Sequence, residues 1–182
     1  LGTQGLFDEL KEYGGNIHYL GGETADVGDV VRSVAVNGTM TARWPKNKLV
    51  TNDRIVPGDV IIGFGSSGQA RYESRYNSGI ASNGLTSARH DALHKSYGAR
   101  FPESYDTSLD EQVVYIGPHR LTDAAPYSDD YPFLENYTVG DLLLSPTRTY
   151  APLMKILLQQ HFEAIHGLVH CSGGGQTKCM KY

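Results

Sequence analysis

The sequence predicts an α+β fold, with helices and strands arranged in α/β layers, and three observations support this class. β-Branched residues alternate with smaller or polar ones from Val30 to Trp44, which is typical of a long strand. A second apolar run over 59–64 follows a Pro-Gly turn and predicts a buried strand. Apolar residues recur on one face over 85–97 and over 148–160, where helices are expected.

Composition limits the classes of protein to which the chain can belong. Its 182 residues suffice for one ample domain or two small ones, and 40% hydrophobic with 20% charged residues is typical of a soluble globular protein. The net charge of −4 disfavours a general nucleic-acid binder, and no apolar run approaches the roughly 20 residues of a membrane span. Cys171 and Cys179 are too few for a disulfide framework and lack zinc-ligand spacing, so a reduced, cytoplasmic setting is expected.

Two domains are predicted, over residues 1–44 and 45–182, with the boundary at the polar break Pro45-Lys46-Asn47-Lys48. The first begins with a helix over 3–14 and a short strand over 17–20. The second has a polar loop at 69–81 with the length of a lid, and mostly loop over 98–140. Short strands are expected at 112–116 and 165–169. The chain starts at Leu1 without a methionine and stops soon after a glycine loop, so parts of the protein are expected to be missing at both ends.

A glycine- and serine-rich loop follows the strand at 59–64 and is a candidate phosphate site. It contains Gly65-Ser66-Ser67-Gly68, and Ser82-Asn83-Gly84 closes it just before the helix expected from Leu85. Glycines let the backbone approach an anion, and exposed N–H groups together with a helix N-terminus supply positive potential. Such turns are also common in proteins that bind no phosphate.

A second loop of this kind, Ser172-Gly173-Gly174-Gly175, follows the strand expected at 165–169. Its three successive glycines make it another candidate anion site. His170, just before this loop, is a candidate for proton transfer, and a histidine satisfied within the strand end is the alternative.

Charged residues near these loops allow more than one interpretation. Two glycines at a strand end precede Glu23 and Asp26, and either carboxylate could bind magnesium through an oxygen, or both could be solvated turn carboxylates. Thr147 is a plausible N-cap for the helix from about 148, and Arg148 could bind a phosphate or form a structural ion pair. His90 and His94 lie four residues apart, but without a third metal ligand we expect them to be ordinary helix-surface residues.

Four short motifs, taken in order, resemble those of AIR synthase, the phosphoribosylformylglycinamidine cyclo-ligase of purine biosynthesis. They span most of the chain, and their order and spacing together are specific. The family's usual first motif differs from this chain at 26–28, and the 69–81 segment is an insertion relative to most members. The motifs are Gly21-Gly22-Glu23-Thr24-Ala25; Gly58-Asp59-Val60-Ile61-Ile62-Gly63 with Gly65-Ser66-Ser67-Gly68 and Ser82-Asn83-Gly84; Pro146-Thr147-Arg148 with Tyr150; and His166 with His170-Cys171-Ser172-Gly173-Gly174-Gly175.

The resemblance implies a two-domain fold with a mixed sheet and helices packed on one face, incomplete in this chain. Residues 1–44 would be the end of the N-terminal domain and 45–182 the first part of the C-terminal domain. The implied reaction is ATP-dependent closure of the imidazole ring of formylglycinamidine ribonucleotide, with magnesium as cofactor. Glu23 would contact the metal and His170 would be catalytic. Substrate or phosphate contacts would come from Gly65, Ser66, Ser67, Gly68, Ser82, Asn83, Gly84, Thr147, Arg148, Ser172, Gly173, Gly174 and Gly175.

The resemblance also implies a homodimer, because strands of the N-terminal domains meet in this family and open sheet edges favour pairing. The expected partner is the small-molecule substrate, with no nucleic acid and no membrane. Two alternatives stay open, namely another ATP-using synthetase or kinase of the same superfamily and a non-catalytic nucleotide-binding or interaction fragment. By itself the 182-residue chain is expected to show weak or no catalysis.

Overall fold

A computed structural model describes residues 3–29, 31, 34–126 and 130–182. Within these ranges no helix has both the length and the apolar character needed to cross a bilayer. The α-helices are α1 (Gln4–Glu12), α2 (Ala81–Ala92), α3 (Ser96–Arg100), α4 (Val139–Leu143) and α5 (Ala151–Gln160). Short 3-10 helices lie at Lys46–Lys48, Pro102–Ser104, Pro132–Asn136, Phe162–Ala164 and Gly175–Lys181.

The chain divides into two compact units, each formed by separate stretches of sequence. Unit 1 comprises Leu1–Thr24, Asn37–Gly63 and Thr149–Tyr182, and unit 2 comprises Ala25–Val36 and Phe64–Arg148. The predicted domain boundary near residue 45 therefore lies inside a stretch of unit 1 and stays a prediction.

The mixed sheet is not observed among the described residues, where backbone pairing is limited to three isolated bridges. Val60, Ile61 and Ile62, expected in a buried strand, are 83%, 83% and 75% exposed. Of the run over 30–44, Val30, Arg32 and Ser33 lie outside the described residues, and the remainder forms no strand. The segments at 17–20, 112–116 and 165–169 likewise form no strand. A strand makes its hydrogen bonds to another segment, so a strand-like sequence without a neighbouring strand stays unpaired.

The hydrophobic core of unit 2 lies between α2 and α4. Leu93, Val114, Tyr115, Val139 and Leu143 are all buried there. Partly buried residues of α2, of α3 and of the loops pack around them, namely Ile80, Leu85, Ala88, Ala92, Tyr97, Tyr105 and Leu121. α4 starts with a capping box, in which Thr138 and Asp141 each bind the other's backbone N–H group. Unit 2 therefore contains a true core, although the core is small.

The C-terminal end of α2 is held by the segment 116–119. The N–H groups of Ile116, Gly117 and His119 donate to the carbonyl oxygens of His90, Leu93 and Ala92, at 2.8, 3.1 and 3.0 Å. The last carbonyls of a helix have no partner within the helix, so an outside segment must satisfy them. The helix predicted over 85–97 therefore ends at Ala92, and α3 follows as a separate element.

His90 belongs to this core rather than to the helix surface, so that expectation was wrong. The side chain is buried, its Nδ1 accepts a 3.3 Å hydrogen bond from the backbone N–H of Tyr115, and its ring contacts the rings of Tyr105 and Tyr115. Burial lowers the pKa of His90, Arg89 lowers it further, and Asp91 opposes the shift. The neutral imidazole is thus the form that fits the fold.

Acidification should therefore destabilise unit 2 through His90. Because the folded-state pKa lies below the usual 6.5, the stabilisation is complete above pH 6.5 and is lost as the pH falls toward the folded pKa. Hydrogen exchange of the α2 amides at pH 7.5 and pH 5.5 measures this loss. Replacing His90 with Asn, whose amide oxygen retains an acceptor, should reduce the pH dependence. His94→Asn changes an exposed histidine and serves as the control, so it should keep the pH dependence. An equal loss of protection on acidification in the unmodified chain, His90→Asn and His94→Asn would contradict the role given to His90.

Unit 1 is tied together mainly by side-chain to backbone hydrogen bonds. Asn52 accepts from the N–H of Leu168 at 2.8 Å and donates to its carbonyl at 3.2 Å. Arg54 donates to the carbonyl oxygen of Ile165 at 2.5 Å, and Lys155 of α5 donates to that of Tyr13 at 2.9 Å. These contacts bring the start of the motif around Asp59 beside the segment that precedes the second glycine loop.

Candidate functional site

Arg148 holds the glycine–serine loop, defined here as residues 65–68. Its guanidinium donates to the carbonyl oxygens of Gly65, Ser67 and Gly68, at 2.6, 3.2 and 2.7 Å. The planar guanidinium presents five donors in a fixed arrangement, so a single side chain can bind several carbonyls of one tight loop. The conformation of the loop thus depends on a residue some eighty positions away in sequence.

The same guanidinium forms a bidentate ion pair with Glu73. Nε lies 2.7 Å from Oε1 and Nη2 lies 2.8 Å from Oε2, and the two side chains are only 7% and 16% exposed. Burial raises the pKa of Glu73, but the hydrogen bonds from Arg148 and from the N–H of Ala70 outweigh it, so the pKa stays below its usual value. Of the two interpretations of Arg148, this structure contains the ion pair, and phosphate binding by Arg148 stays a prediction.

The 69–81 segment is anchored at several points. Glu73 binds Arg148, and Gly68 exchanges two backbone hydrogen bonds of 2.9 Å with Asn77. The buried Asn77 side chain also donates to the carbonyl oxygen of Pro146 at 2.8 Å, and Ser78 N–H donates to Ser145 Oγ at 3.1 Å. Its middle residues are thus bound to the loop and to the residues that precede Arg148.

The contacts of Arg148 fix the direction of an exposed backbone donor. In a trans peptide the carbonyl and the following N–H point in opposite directions. Because the carbonyl of Gly65 points at the guanidinium, the N–H of Ser66 points away from it. Ser66 and Ser67 are exposed, and within the described part of the chain their N–H groups donate no hydrogen bond. The loop thus offers backbone and hydroxyl donors of the kind that bind anions.

Ser82, Asn83 and Gly84 lie in the first turns of α2, which begins at Ala81 rather than near Leu85. The N–H of Ser82 donates to Thr147 Oγ1 at 3.4 Å. Because α5 begins at Ala151, four residues after Thr147, Thr147 is not its N-cap. The structure brings together in unit 2 the glycine–serine loop, the start of α2 and Thr147-Arg148.

The second glycine loop belongs to unit 1. Its chain reverses at Gly174 and Gly175, which have φ angles of 88° and 55°, and Lys178 donates a hydrogen bond to Ser172 Oγ. The side chain of His170 is exposed, and its backbone carbonyl accepts a hydrogen bond from Ser172 N–H at 3.0 Å. The side chain of His170 is thus accessible to a ligand.

Glu23, the predicted magnesium contact, is exposed in unit 1. Among the described residues no group of three or more His, Cys, Asp or Glu side chains is arranged to hold a metal ion. Mg²⁺ commonly takes one or two carboxylates, and water and substrate phosphates complete its shell. One carboxylate therefore fits an ion that arrives with a nucleotide, but not a permanent site made by protein alone.

A histidine–carboxylate pair in unit 1 was not predicted. His166 Nδ1 lies 3.0 and 2.9 Å from the two carboxylate oxygens of Asp59. A hydrogen bond from the N–H of Val56, and next one from His166, lower the pKa of Asp59. Both residues stand in motifs of the resemblance, which was the available signal, but their separation of 107 positions hides the contact. The carboxylate orients the imidazole, so the pair is a candidate for proton transfer.

A cavity of about 440 Å³ opens in unit 2 and contains none of the predicted site residues. Tyr76, Tyr137 and Pro146 line it, and Arg75 and Asp141 form a 2.8 Å ion pair at its edge. Hydrogen bonds from the backbone and hydroxyl of Thr138, followed by that from Arg75, lower the pKa of Asp141 to about 2. Its polar groups are already paired within the protein, so this cavity is a weaker candidate than the glycine–serine loop.

Comparison with known proteins identifies relatives along almost the whole chain. No protein-family model matches the sequence. The chain is 32% identical over 174 residues to the phosphoribosylformylglycinamidine cyclo-ligase of Pyrococcus furiosus. The aligned region covers 95% of this chain and 38% of that protein. It is 31% identical over 172 residues to the cyclo-ligase of Thermoplasma acidophilum and 30% identical over 176 residues to one from Methanococcus maripaludis.

These matches agree with the motifs quoted from the sequence alone. The chain spans about 38% of the length of the curated relatives it matches. The similarity extends over 95% of this chain. Over this part of their length, the chain is therefore similar to phosphoribosylformylglycinamidine cyclo-ligases.

Proposed function

We propose that the chain is part of a cytoplasmic AIR synthase that closes the imidazole ring of formylglycinamidine ribonucleotide with ATP, in purine biosynthesis. Its relatives are named as phosphoribosylformylglycinamidine cyclo-ligases, which supports the reaction class. The observation that carries the proposal in this structure is the glycine–serine loop, whose carbonyls are bound by Arg148 and whose Ser66 N–H points away. The proposed alternative, another synthetase or kinase of the superfamily, would use the same loop on a different substrate.

The glycine–serine loop would bind a phosphate group of the substrate or of ATP. The N–H and hydroxyl groups of Ser66 and Ser67 supply donors, and the N-terminus of α2 at Ser82-Asn83-Gly84 adds positive potential in the same unit. In this arrangement Arg148 acts as a positioning residue, because its guanidinium is engaged by Glu73 and the loop carbonyls. The second glycine loop, residues 172–175, would supply another anion site.

Ring closure needs a nitrogen of the substrate to lose a proton as it attacks. ATP, when bound, would supply the phosphoryl group that turns the amide oxygen into a leaving group. His170 is exposed and near the second glycine loop, and it would accept or return the proton. Glu23 would provide one oxygen to Mg²⁺, and the nucleotide phosphates would complete most of the shell.

Calorimetry and a product assay test the proposal together. The 182-residue chain should release no heat with ATP and Mg²⁺ and should form no AIR. A protein extended along its reading frame in both directions should release heat on binding ATP and should form AIR. AIR formation by the 182-residue chain alone would contradict the expected incompetence. An extended protein that binds ATP but leaves formylglycinamidine ribonucleotide unchanged would refute the cyclo-ligase assignment and favour the alternative.

Gly84 separates a structural from a binding requirement. A Cβ at this position would meet only Ile80 Cγ2, at an ordinary 3.5 Å, so Ala fits the helix. Gly84→Ala should raise the stability of unit 2 by about 1 kcal/mol, because glycine is a poor helix former. Hydrogen exchange of the α2 amides measures this gain. If the backbone at Gly84 approaches a phosphate, the same variant of the extended protein should bind ATP or substrate more weakly; unchanged binding would remove Gly84 from the site.

We further propose that the exposed apolar segments become strands of a mixed sheet in a homodimeric whole protein. Val60, Ile61 and Ile62 in unit 1 are mostly exposed, as are Val34 and Val36 in unit 2. Exposed β-branched segments with unpaired backbone groups favour pairing with another chain segment.

A further inference from the structure

The cysteines of unit 1 approach each other across the second glycine loop. Cys171 Sγ and Cys179 Sγ lie 3.9 Å apart, so the thiols are in contact although they are eight positions apart in sequence. Cys171 is exposed and Cys179 is partly exposed, and neither is in a disulfide. A disulfide bond requires about 2.05 Å between the sulfurs, so closure needs an approach of only about 2 Å.

The contact is produced by the loop and not by the sulfurs alone. Gly175 N–H donates to the carbonyl of Ser172 at 2.8 Å, and Thr177 Oγ1 donates to that of Gly174 at 2.6 Å. Lys178 Nζ donates to Ser172 Oγ, which joins the residue after one cysteine to the residue before the other. These bonds fold residues 172–178 into a closed turn that carries Cys171 and Cys179 on its two ends.

We propose that Cys171 and Cys179 form a site of reversible thiol–disulfide exchange that closes the second glycine loop. The co-reactant is a small disulfide such as oxidised glutathione. The thiolate of Cys171 attacks one of its sulfurs, which breaks that disulfide, forms a mixed disulfide at Cys171 and releases one glutathione thiolate. The thiolate of Cys179 then attacks the Cys171 sulfur, forms the internal disulfide and releases the second glutathione. The protein is oxidised by two electrons, the co-reactant is reduced by two, and the two thiol protons pass to the released glutathione.

The order of the two attacks follows from exposure and protonation. Cys171 is the more exposed thiol, and the attacking group must reach a disulfide in solution. The contact with Cys171 is the main cause that raises the pKa of Cys179, so Cys179 keeps its proton more readily at the start. Closure would hold both ends of Ser172-Gly173-Gly174-Gly175 together and restrict the backbone that the proposed function assigns to anion binding.

Equilibration with glutathione tests the site on the 182-residue chain. The chain is incubated over a series of reduced-to-oxidised glutathione ratios, alkylated and measured by intact mass and peptide mapping. The expected product has lost the mass of two hydrogens and links the peptides of Cys171 and Cys179. The equilibrium constant for closure should be at least about tenfold higher in buffer than in concentrated urea, because the folded turn raises the effective concentration of one thiol at the other. Equal constants, or linked pairs of chains, would overturn the proposal.

Matched variants separate the loop geometry from ordinary thiol reactivity. Cys171→Ser and Cys179→Ser should each stop at a single mixed disulfide, heavier by one glutathionyl group in place of the thiol hydrogen, with no product that is two hydrogens lighter than the reduced chain. Lys178→Ala, which removes the bond to Ser172, should lower the closure constant several-fold. Lys181→Ala removes the same charge without that bond and should leave the constant unchanged. Equal constants for the two lysine variants would show that the turn does not position the thiols.

Discussion

Replacing Arg148 with methionine is expected to lower the stability of unit 2 by about 3 kcal/mol, because removing one partner of a buried ion pair leaves the other charge uncompensated. The guanidinium is 7% exposed and the carboxylate of Glu73 is 16% exposed, so water cannot fully replace the lost contact. The carbonyl oxygens of Gly65, Ser67 and Gly68 lose their donor at the same time. Both effects act on the glycine–serine loop.

Hydrogen exchange of the Gly68 and Asn77 amides measures this loss locally, since the two residues form the bridge that anchors 69–81. Arg148→Lys keeps the charge but not the planar fork, so it should recover only part of the protection. Arg75→Met is the matched control: its ion pair with Asp141 is formed by a side chain that is 62% exposed, and it should cost about 0.5 kcal/mol. An Arg148→Met protein as stable as the Arg75→Met protein would show that the ion pair does not hold the loop.

The double variant separates the two parts of this effect. When Glu73→Leu is added to Arg148→Met, no buried charge is left, so part of the stability should return. The loop carbonyls would still lack their donor, so protection of Gly68 should stay below that of the unmodified chain. The remaining difference in the protection of Gly68 measures what the hydrogen bonds from Arg148 to the loop carbonyls contribute, apart from its ion pair with Glu73.

The sequence was most informative where the chemistry is local. The glycine–serine loop, the start of α2 and Thr147-Arg148 were named from their residue types, and the structure brings them together in one unit. Glu73 could not be predicted as the partner of Arg148, since it lies in a polar segment without periodicity and 75 positions away. His90 was misplaced because a helix pattern does not reveal which loop will cover its end, and Tyr115 does so here.

The strands were the part of the fold that the sequence predicted least well. A helix satisfies its backbone groups within its own sequence, so α5 formed close to the expected place. A strand needs a second segment, and the pattern at Val60-Ile61-Ile62 carries no information about whether that segment is present. The start of α2 also differs from the prediction: Ser82, Asn83 and Gly84 are typical turn residues, but they lie in the helix, where the N–H of Ser82 donates to Thr147 Oγ1.

Gly117→Ala is the second substitution with a large expected effect, and nothing in the sequence distinguishes this glycine from the others. A Cβ at residue 117 would overlap the backbone carbonyl group of Ala92 and the carbonyl oxygen of Asp91. Backbone atoms at the end of α2 cannot move aside as a flexible side chain can, so segment 116–119 must withdraw. Withdrawal breaks the hydrogen bonds that this segment donates to the carbonyls of His90 and Ala92 at the end of α2 and of Leu93 just after it.

We therefore expect Gly117→Ala to lower the stability of unit 2 by about 3 kcal/mol, the sum of steric displacement and unsatisfied helix carbonyls. Gly84→Ala is the matched control, because it adds the same methyl group within α2 itself, at a position with room for it. The two variants should move the exchange protection of the α2 amides in opposite directions. If Gly117→Ala instead retained full protection, the C-terminal end of α2 would not depend on close approach of residues 116–119, and the core around Leu93 and Tyr115 would have to be held by side-chain packing alone.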